Sequence, residues 1–200
     1  SYMLCPGVTM FASPPKYGKS FLSLDLALAI STGSSFLNRE TKSGRVLYLD
    51  LEGTEWRTQD RLSMLGYDKM PENLDHSYYA DRVDHHLIRQ LQTWVEEKEN
   101  PRLIIIDTLA RIKGVAKRNE NDYHAETRFM APLQTLAMEN NIAILCVTHT
   151  STSGNFVPDD PYETMIGSTA QYGASDNGWL LTGKRGETKK ILMCNGRDYA

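Results

Sequence analysis

The sequence predicts an α/β fold with a mainly parallel central sheet flanked by helices, and three observations carry that prediction. Apolar strand-like runs alternate with helix-like segments along the chain. Within RLIIIDT (102–108), residues 103–106 are continuously apolar up to the aspartate, as in a strand covered on both faces. GVTMFA (7–12) leads through a short loop into a Leu/Ala-rich segment, the strand–turn–helix order that opens many such folds.

Taken in order, the segment at 20–33, SFLSLDLALAISTG, is a helix that Gly33 is placed to end. RVLYLDLE (45–52) is a buried strand finishing on a carboxylate, and TEWRTQDRLSMLG (54–66) is a helix stopping at Gly66. LDHSYYA (74–80) is a weaker strand. The segment at 84–100 carries apolar residues at 87, 88, 91, 94 and 95, a helical stripe. After the 102–108 strand, a helix is expected over 122–140 and a further buried strand, IAILCVTHT, over 142–150. The stretch 151–168 is rich in Pro, Gly and Ser and reads as a long loop. NGWLLTG (177–183) and KKILMCN (189–195) form a C-terminal β-hairpin around KRGE. No internal repeat or dividing linker is visible, so residues 1–200 read as one domain. The abrupt ends, SYML and NGRDYA, suggest a segment of a longer chain.

Bulk properties exclude several classes. With 40% hydrophobic residues, 24% charged residues and a net charge of −3, no run is long enough to span a bilayer as a helix. The N-terminus lacks the basic start and apolar centre of a signal peptide. Three cysteines without CxxC pairing imply no disulfide framework, so a cytoplasmic location and no membrane partner are expected. The five histidines show no ligand spacing, and no zinc site is suggested.

The loop ASPPKYGKS (12–20) is the main chemical signal. A GK[ST] tripeptide alone arises by chance in roughly one chain of this length in ten. Here an apolar strand precedes it and a strong helix begins at Lys19, the arrangement a phosphate cradle requires. The backbone N–H groups of Lys16, Tyr17, Gly18, Lys19 and Ser20 can converge on phosphates; Lys19 adds a point charge and the Ser20 hydroxyl can bind Mg²⁺. Pro14 and Pro15 have no N–H but stiffen the approach. Ser13 stands five residues before Gly18, where such loops carry their first glycine. If that position is left-handed, serine costs on the order of 1–2 kcal/mol there.

Asp107 ends the most apolar run and, at a strand's carboxyl end beside the loop, suits an aspartate that holds Mg²⁺ through water. Glu52, ending the strand at 45–52, can orient and deprotonate a water in line with the γ-phosphate; it is preferred over Asp50, which shares its face of the strand but lies deeper. His149 is delivered to the same sheet edge and can hydrogen-bond the γ-phosphate.

With these parts in hand, the sequence resembles RecA-fold ATPases of the AAA_25 group, which includes plasmid-type hexameric replicative helicases of the RepA kind; the DnaB and KaiC families are more distant. The resemblance rests on FASPPKYGKSFLSLDLALAISTG, GRVLYLDLEGTEWRTQDRL, RLIIIDTLAR, CVTHTSTSG, GSTAQYGASDNGWLLT and NGRD, which occur in family order across nearly the whole chain. It implies a RecA-like P-loop core, ATP and Mg²⁺ as ligands, and a homo-oligomer, a hexameric ring. Lys19 and Ser20 would belong to Walker A, with residues 13–21 from Ser13 to Phe21 around the nucleotide. Asp107 would be Walker B, Glu52 the catalytic glutamate and His149 the polar sensor. Arg61 matches an arginine that stacks on adenine, and Arg197 an arginine finger reaching a neighbouring subunit.

In RecA-like rings the loops after the Walker B and sensor strands face the central channel. The first, 109–122, carries Arg111, Lys113, Lys117 and Arg118, which can track the phosphates of single-stranded DNA. The second, 151–168, offers Phe156 and Tyr162 for stacking but also Asp159, Asp160 and Glu163. The leading expectation is a Mg²⁺-dependent ATPase from a DNA replication or mobile-element context. A nucleotide-gated, KaiC-like assembly module with little turnover and a small-molecule kinase stay open beside it.

Overall fold

A computed structural model describes residues 4–114, 122–150, 175–184 and 186–196. Among these residues the elements run in the order β1 (Gly7–Ser13), α1 (Lys19–Thr32), β2 (Arg45–Asp50), α2 (Glu55–Met64), β3 (Leu74–Ser77), α3 (Leu87–Glu97), β4 (Pro101–Asp107), α4 (Leu109–Ile112), α5 (Asp122–Glu139), β5 (Ala143–His149), β6 (Asn177–Thr182) and β7 (Ile191–Gly196). The described strands form one seven-stranded sheet in the order β3-β2-β4-β5-β1-β6-β7. Each pairing within it is parallel except β6–β7, the antiparallel C-terminal hairpin.

Strand alternation explains the three layers. Met10, Leu47, Leu49, Ile104, Ile106, Ile144 and Cys146 face α3, α4 and α5, whose Leu91, Trp94, Leu109, Met130 and Leu133 fill one core. The other face presents Phe11, Tyr48, Ile105, Leu145 and Val147 to α1 and to Leu62 of α2. Both faces are covered, which is why the central strands read as unbroken apolar runs. A fully buried Leu such as Leu24 or Leu28 contributes about 1.5–3 kcal/mol. At the β3 edge, Arg45 grips Asp75 through Nε and Nη2 at 2.8 and 2.9 Å, and Trp94 Nε1 donates to the same carboxylate at 2.8 Å. That network ties α3 to the sheet margin.

The same alternation sets the site. Asp50 and Asp107 are register partners at the ends of β2 and β4, and Ser13 pairs with His149 across β1 and β5. Four strands therefore finish at one carboxyl edge, directly below the start of α1.

Several local expectations change. β2 ends at Asp50, two residues short of Glu52, because Leu51 N donates to Asp107 O at 2.6 Å and Gly53 N to Asp50 O at 3.2 Å, closing a turn. β3 stops at Ser77, whose hydroxyl bonds Tyr79 O and bends the chain out of the sheet. The segment after β4 is not a loop from its start: Leu109 and Ile112 are fully buried and build one helical turn, α4.

Candidate functional site

The turn from β1 into α1 carries its positive φ at Lys16 (67°) and Gly18 (96°), and Ser13 is not among the positive-φ residues. The expected backbone penalty at Ser13 is therefore absent, since Ser13 is the last, fully buried residue of an extended strand. The left-handed turn has moved three residues downstream. Gly18 precedes α1 without any side-chain cap, and no acidic residue occupies the first turn. The first helical N–H groups are thus left for an anion. Pro15, Lys16, Gly18 and Phe21 are exposed around this opening, and Pro14 and Tyr17 are half-buried.

Lys19 folds back beneath the loop. Its Nζ donates to Ser13 O at 2.9 Å and to Ser13 Oγ at 3.1 Å, and stands 3.1 Å from His149 Nδ1. An ammonium can only donate, so Nδ1 is the accepting nitrogen and His149 carries its ring proton on Nε2. Burial pulls the Lys19 pKa down to about 8, opposed by the negative charges of Asp107 and Glu52. The His149 pKa is also lowered, by burial first and then by the Lys19 charge. These interactions bring Lys19, Glu52, Asp107 and His149 within electrostatic reach of one another.

Asp107 is 2% exposed. Burial raises its pKa, while donation from the Ser20 hydroxyl and from Tyr48 favours the ionised form. Tyr48 Oη donates to Asp107 Oδ2 at 3.1 Å. A buried carboxylate already shared with a serine hydroxyl is a hard-oxygen donor set, which fits Mg²⁺ or Ca²⁺ better than a soft transition metal. Ser20 and Asp107 are the residues that would hold such an ion, with Tyr48 donating to Asp107 Oδ2.

Glu52 lies in the turn after β2, with its side chain 41% exposed. Its Oε1 accepts from Thr108 Oγ1 at 3.2 Å and from Arg111 Nε at 3.2 Å. Asp50 is instead buried beneath, 3.7 Å from the Arg61 guanidinium and 3.4 Å from Thr58 Oγ1. Burial and the neighbouring Asp107 raise its pKa to about 6. Arg61, expected to stack on a base, points its charge at Asp50. Of the candidate DNA contacts, Arg111 pairs with Glu52 and Lys113 with Glu126. Lys117, Arg118, Arg197 and the whole 151–168 loop lie outside the described residues.

Sequence reasoning missed Tyr48, Thr108 and the pairing of Asp50 with Arg61. Tyr48 was legible as the residue two before Asp50, hence on the same strand face. Thr108 directly follows Asp107. The Asp50–Arg61 contact depends on how α2 packs, which no local pattern encodes.

A solved structure of an ATPase domain superposes with a TM-score of 0.71 over 98% of this chain and 78% of its own, at 13% identity. That likeness is one of fold: a mostly parallel seven-stranded sheet with flanking helices, similar to a RecA-like ATPase domain. No curated protein sequence matches the chain. A family model described as an AAA domain, AAA_25, matches residues 3–155. The match spans the loop at 12–20, Glu52, Asp107 and His149, and the chain belongs to the AAA_25 family.

Proposed function

We propose that the chain binds ATP with Mg²⁺ and hydrolyses it, working as a ring-forming ATPase on single-stranded DNA in replication or mobile-element maintenance. Family membership and the likeness to an ATPase domain support the hydrolytic part. The single observation that carries it is the meeting of Lys19, the Ser20–Asp107 pair, Glu52 and His149 at one sheet edge under an uncapped helix start.

Each residue then has a task. The N–H groups of the loop and of the first turn of α1 bind the phosphates, and Lys19 leaves Ser13 to place its charge on them. Ser20 and Asp107 would hold the metal, which would supply positive charge to offset that of the phosphates. Glu52 orients a water and accepts its proton. His149, hydrogen-bonded to Lys19 before nucleotide arrives, reports that movement to the segment after β5. Arg197 acts as the arginine finger of a neighbouring copy in a hexamer. Among the described residues no helix is long and apolar enough to cross a membrane.

Phosphate release with and without single-stranded DNA tests this reading. Lys19→Ala should lose turnover, and Glu52→Gln should bind ATP yet hydrolyse it about 100-fold or more slowly. Normal hydrolysis by Glu52→Gln removes the assignment. The nucleotide-gated assembly reading is favoured by one observation, that Glu52 is held by Arg111; a slow rate indifferent to DNA would select it.

A further inference from the structure

Arg111 sits on α4, the single turn that follows the metal-side strand. Leu109 and Ile112 anchor that turn in the core, while Arg111 lies on its open side with a side chain 60% exposed. Its Nε donates to Glu52 Oε1, the same oxygen that takes the Thr108 hydroxyl. Two donors therefore bind one oxygen of the carboxylate and hold it against the β4–α4 junction. A base must be free to turn toward its water, so a cation clamped to it is a restraint.

We propose that Arg111 is a positioning residue that holds Glu52 back, and that a phosphate group of a polyanion binding Arg111 releases it. This rests on the reading of Glu52 as the group that activates water.

The physical case is competition for one edge of a guanidinium. Arg binds carboxylates and phosphates through the same planar Nε–Nη fork. A phosphate seated on that fork takes the N–H that Glu52 uses, so the two contacts exclude each other. By linkage, an anion that favours the released arrangement shifts the population toward it. The pair is exposed, so the restraint is weak, and a weak restraint is one that a surface ligand can overcome. The neighbouring cation does not compete: Lys113 is taken by Glu126, and its carbonyl accepts from Arg82 Nε at 2.9 Å. Arg111 is thus the described cation of this segment whose partner is also the proposed base.

The test is steady-state phosphate release by the full chain for wild type, Arg111→Gln, Arg111→Lys, Glu52→Gln and the Glu52→Gln/Arg111→Gln double variant. Without any added anion, Arg111→Gln should raise kcat about two- to fivefold, the scale of an exposed ion pair, with the KM for ATP unchanged. Arg111→Lys should restore most of the restraint. A single-stranded oligonucleotide and inorganic polyphosphate, added separately, identify the source of the phosphodiester or phosphate anion. Stimulation of wild type by either one, absent in Arg111→Gln, supports the inference and names its ligand. A kcat for Arg111→Gln at or below wild type overturns it, as does equal stimulation of both proteins, or none of wild type. The double variant should be as slow as Glu52→Gln alone. Wild-type turnover by Glu52→Gln would overturn the reading of Glu52 itself, a distinct failure.

Discussion

In the loop between β1 and α1, the left-handed backbone considered for Ser13 falls at Lys16. Ser13 stands where a glycine was expected, yet its backbone is extended and paired with His149, and its hydroxyl and carbonyl receive Lys19. Lys16 takes the left-handed turn instead. Ser13→Gly should therefore destabilise the protein by about 0.5–1 kcal/mol, because glycine adds backbone freedom at the end of an extended strand and removes a Lys19 acceptor. Lys16→Gly should be neutral or stabilising by up to about 1 kcal/mol, since it relieves a left-handed residue at some cost in chain entropy. Urea unfolding of the two variants separates them, and a gain from Ser13→Gly would show the strain to lie there after all. Lys19 adds a pH signature. Its pKa in the free protein is about 8, below the ordinary 10.5, so the folded state sheds this proton first. Between about pH 8 and 10.5 the unfolded chain holds more protons, and stability rises with pH through that window. Nucleotide binding has the opposite sense, because a phosphate wants the ammonium. ATP affinity should fall by up to about tenfold per pH unit above about pH 8, as measured by calorimetry, and a flat profile would mean Lys19 is not on the phosphate.

At the scale of elements, the turn between β2 and α2 decides whether Glu52 is in place. Gly53 makes this turn possible, since a Cβ there would run into the Asp50 carboxylate. Asp50 in turn holds Arg61 and Thr58 of α2. Gly53→Ala should cost about 1–3 kcal/mol in stability through overpacking and lower kcat more than it raises KM for ATP. A variant with wild-type kcat would show that the turn does not position the base. The elements themselves were largely legible: β1, α1, β4, α5, β5 and the hairpin fall close to their expected bounds because long apolar runs and helical stripes survive any tertiary context. The misses share one cause. β2 stops at Asp50, and α4 replaces loop, because hydrogen bonds and buried contacts from distant strands end one element and start another. Glu52, Lys19, Ser20, Asp107 and His149 could be picked out because strand ends in a parallel sheet gather at one edge. Tyr48 was legible on the same strand face as Asp50, but Thr108 and Arg111 could not be assigned as partners of Glu52, because side-chain hydrogen bonding between elements leaves no periodic trace.

For the whole molecule, the sheet order places β1 between β5 and β6, so the loop before α1 is flanked by β5 on one side and the C-terminal hairpin on the other. The hairpin touches the loop: Lys190 Nζ stands 4.7 Å from the centre of the Tyr17 ring. A nucleotide on the loop would therefore lie beside the turn of the hairpin, from which β7 carries the chain to the opposite edge of the sheet, where Gly196 pairs with Asn177. Molecular mass by light scattering should rise to that of a ring when ATP and Mg²⁺ are added, and Arg197→Ala should keep nucleotide binding while losing turnover. A strict monomer under both conditions would remove the role of Arg197.

The most direct check is a structure of the protein with a non-hydrolysable ATP analogue and Mg²⁺. The triphosphate should lie at the start of α1, with Lys19 Nζ moved from Ser13 and His149 onto a phosphate oxygen and the metal bound by the Ser20 hydroxyl beside Asp107. An analogue bound elsewhere, or Lys19 still folded against Ser13, would contradict the account.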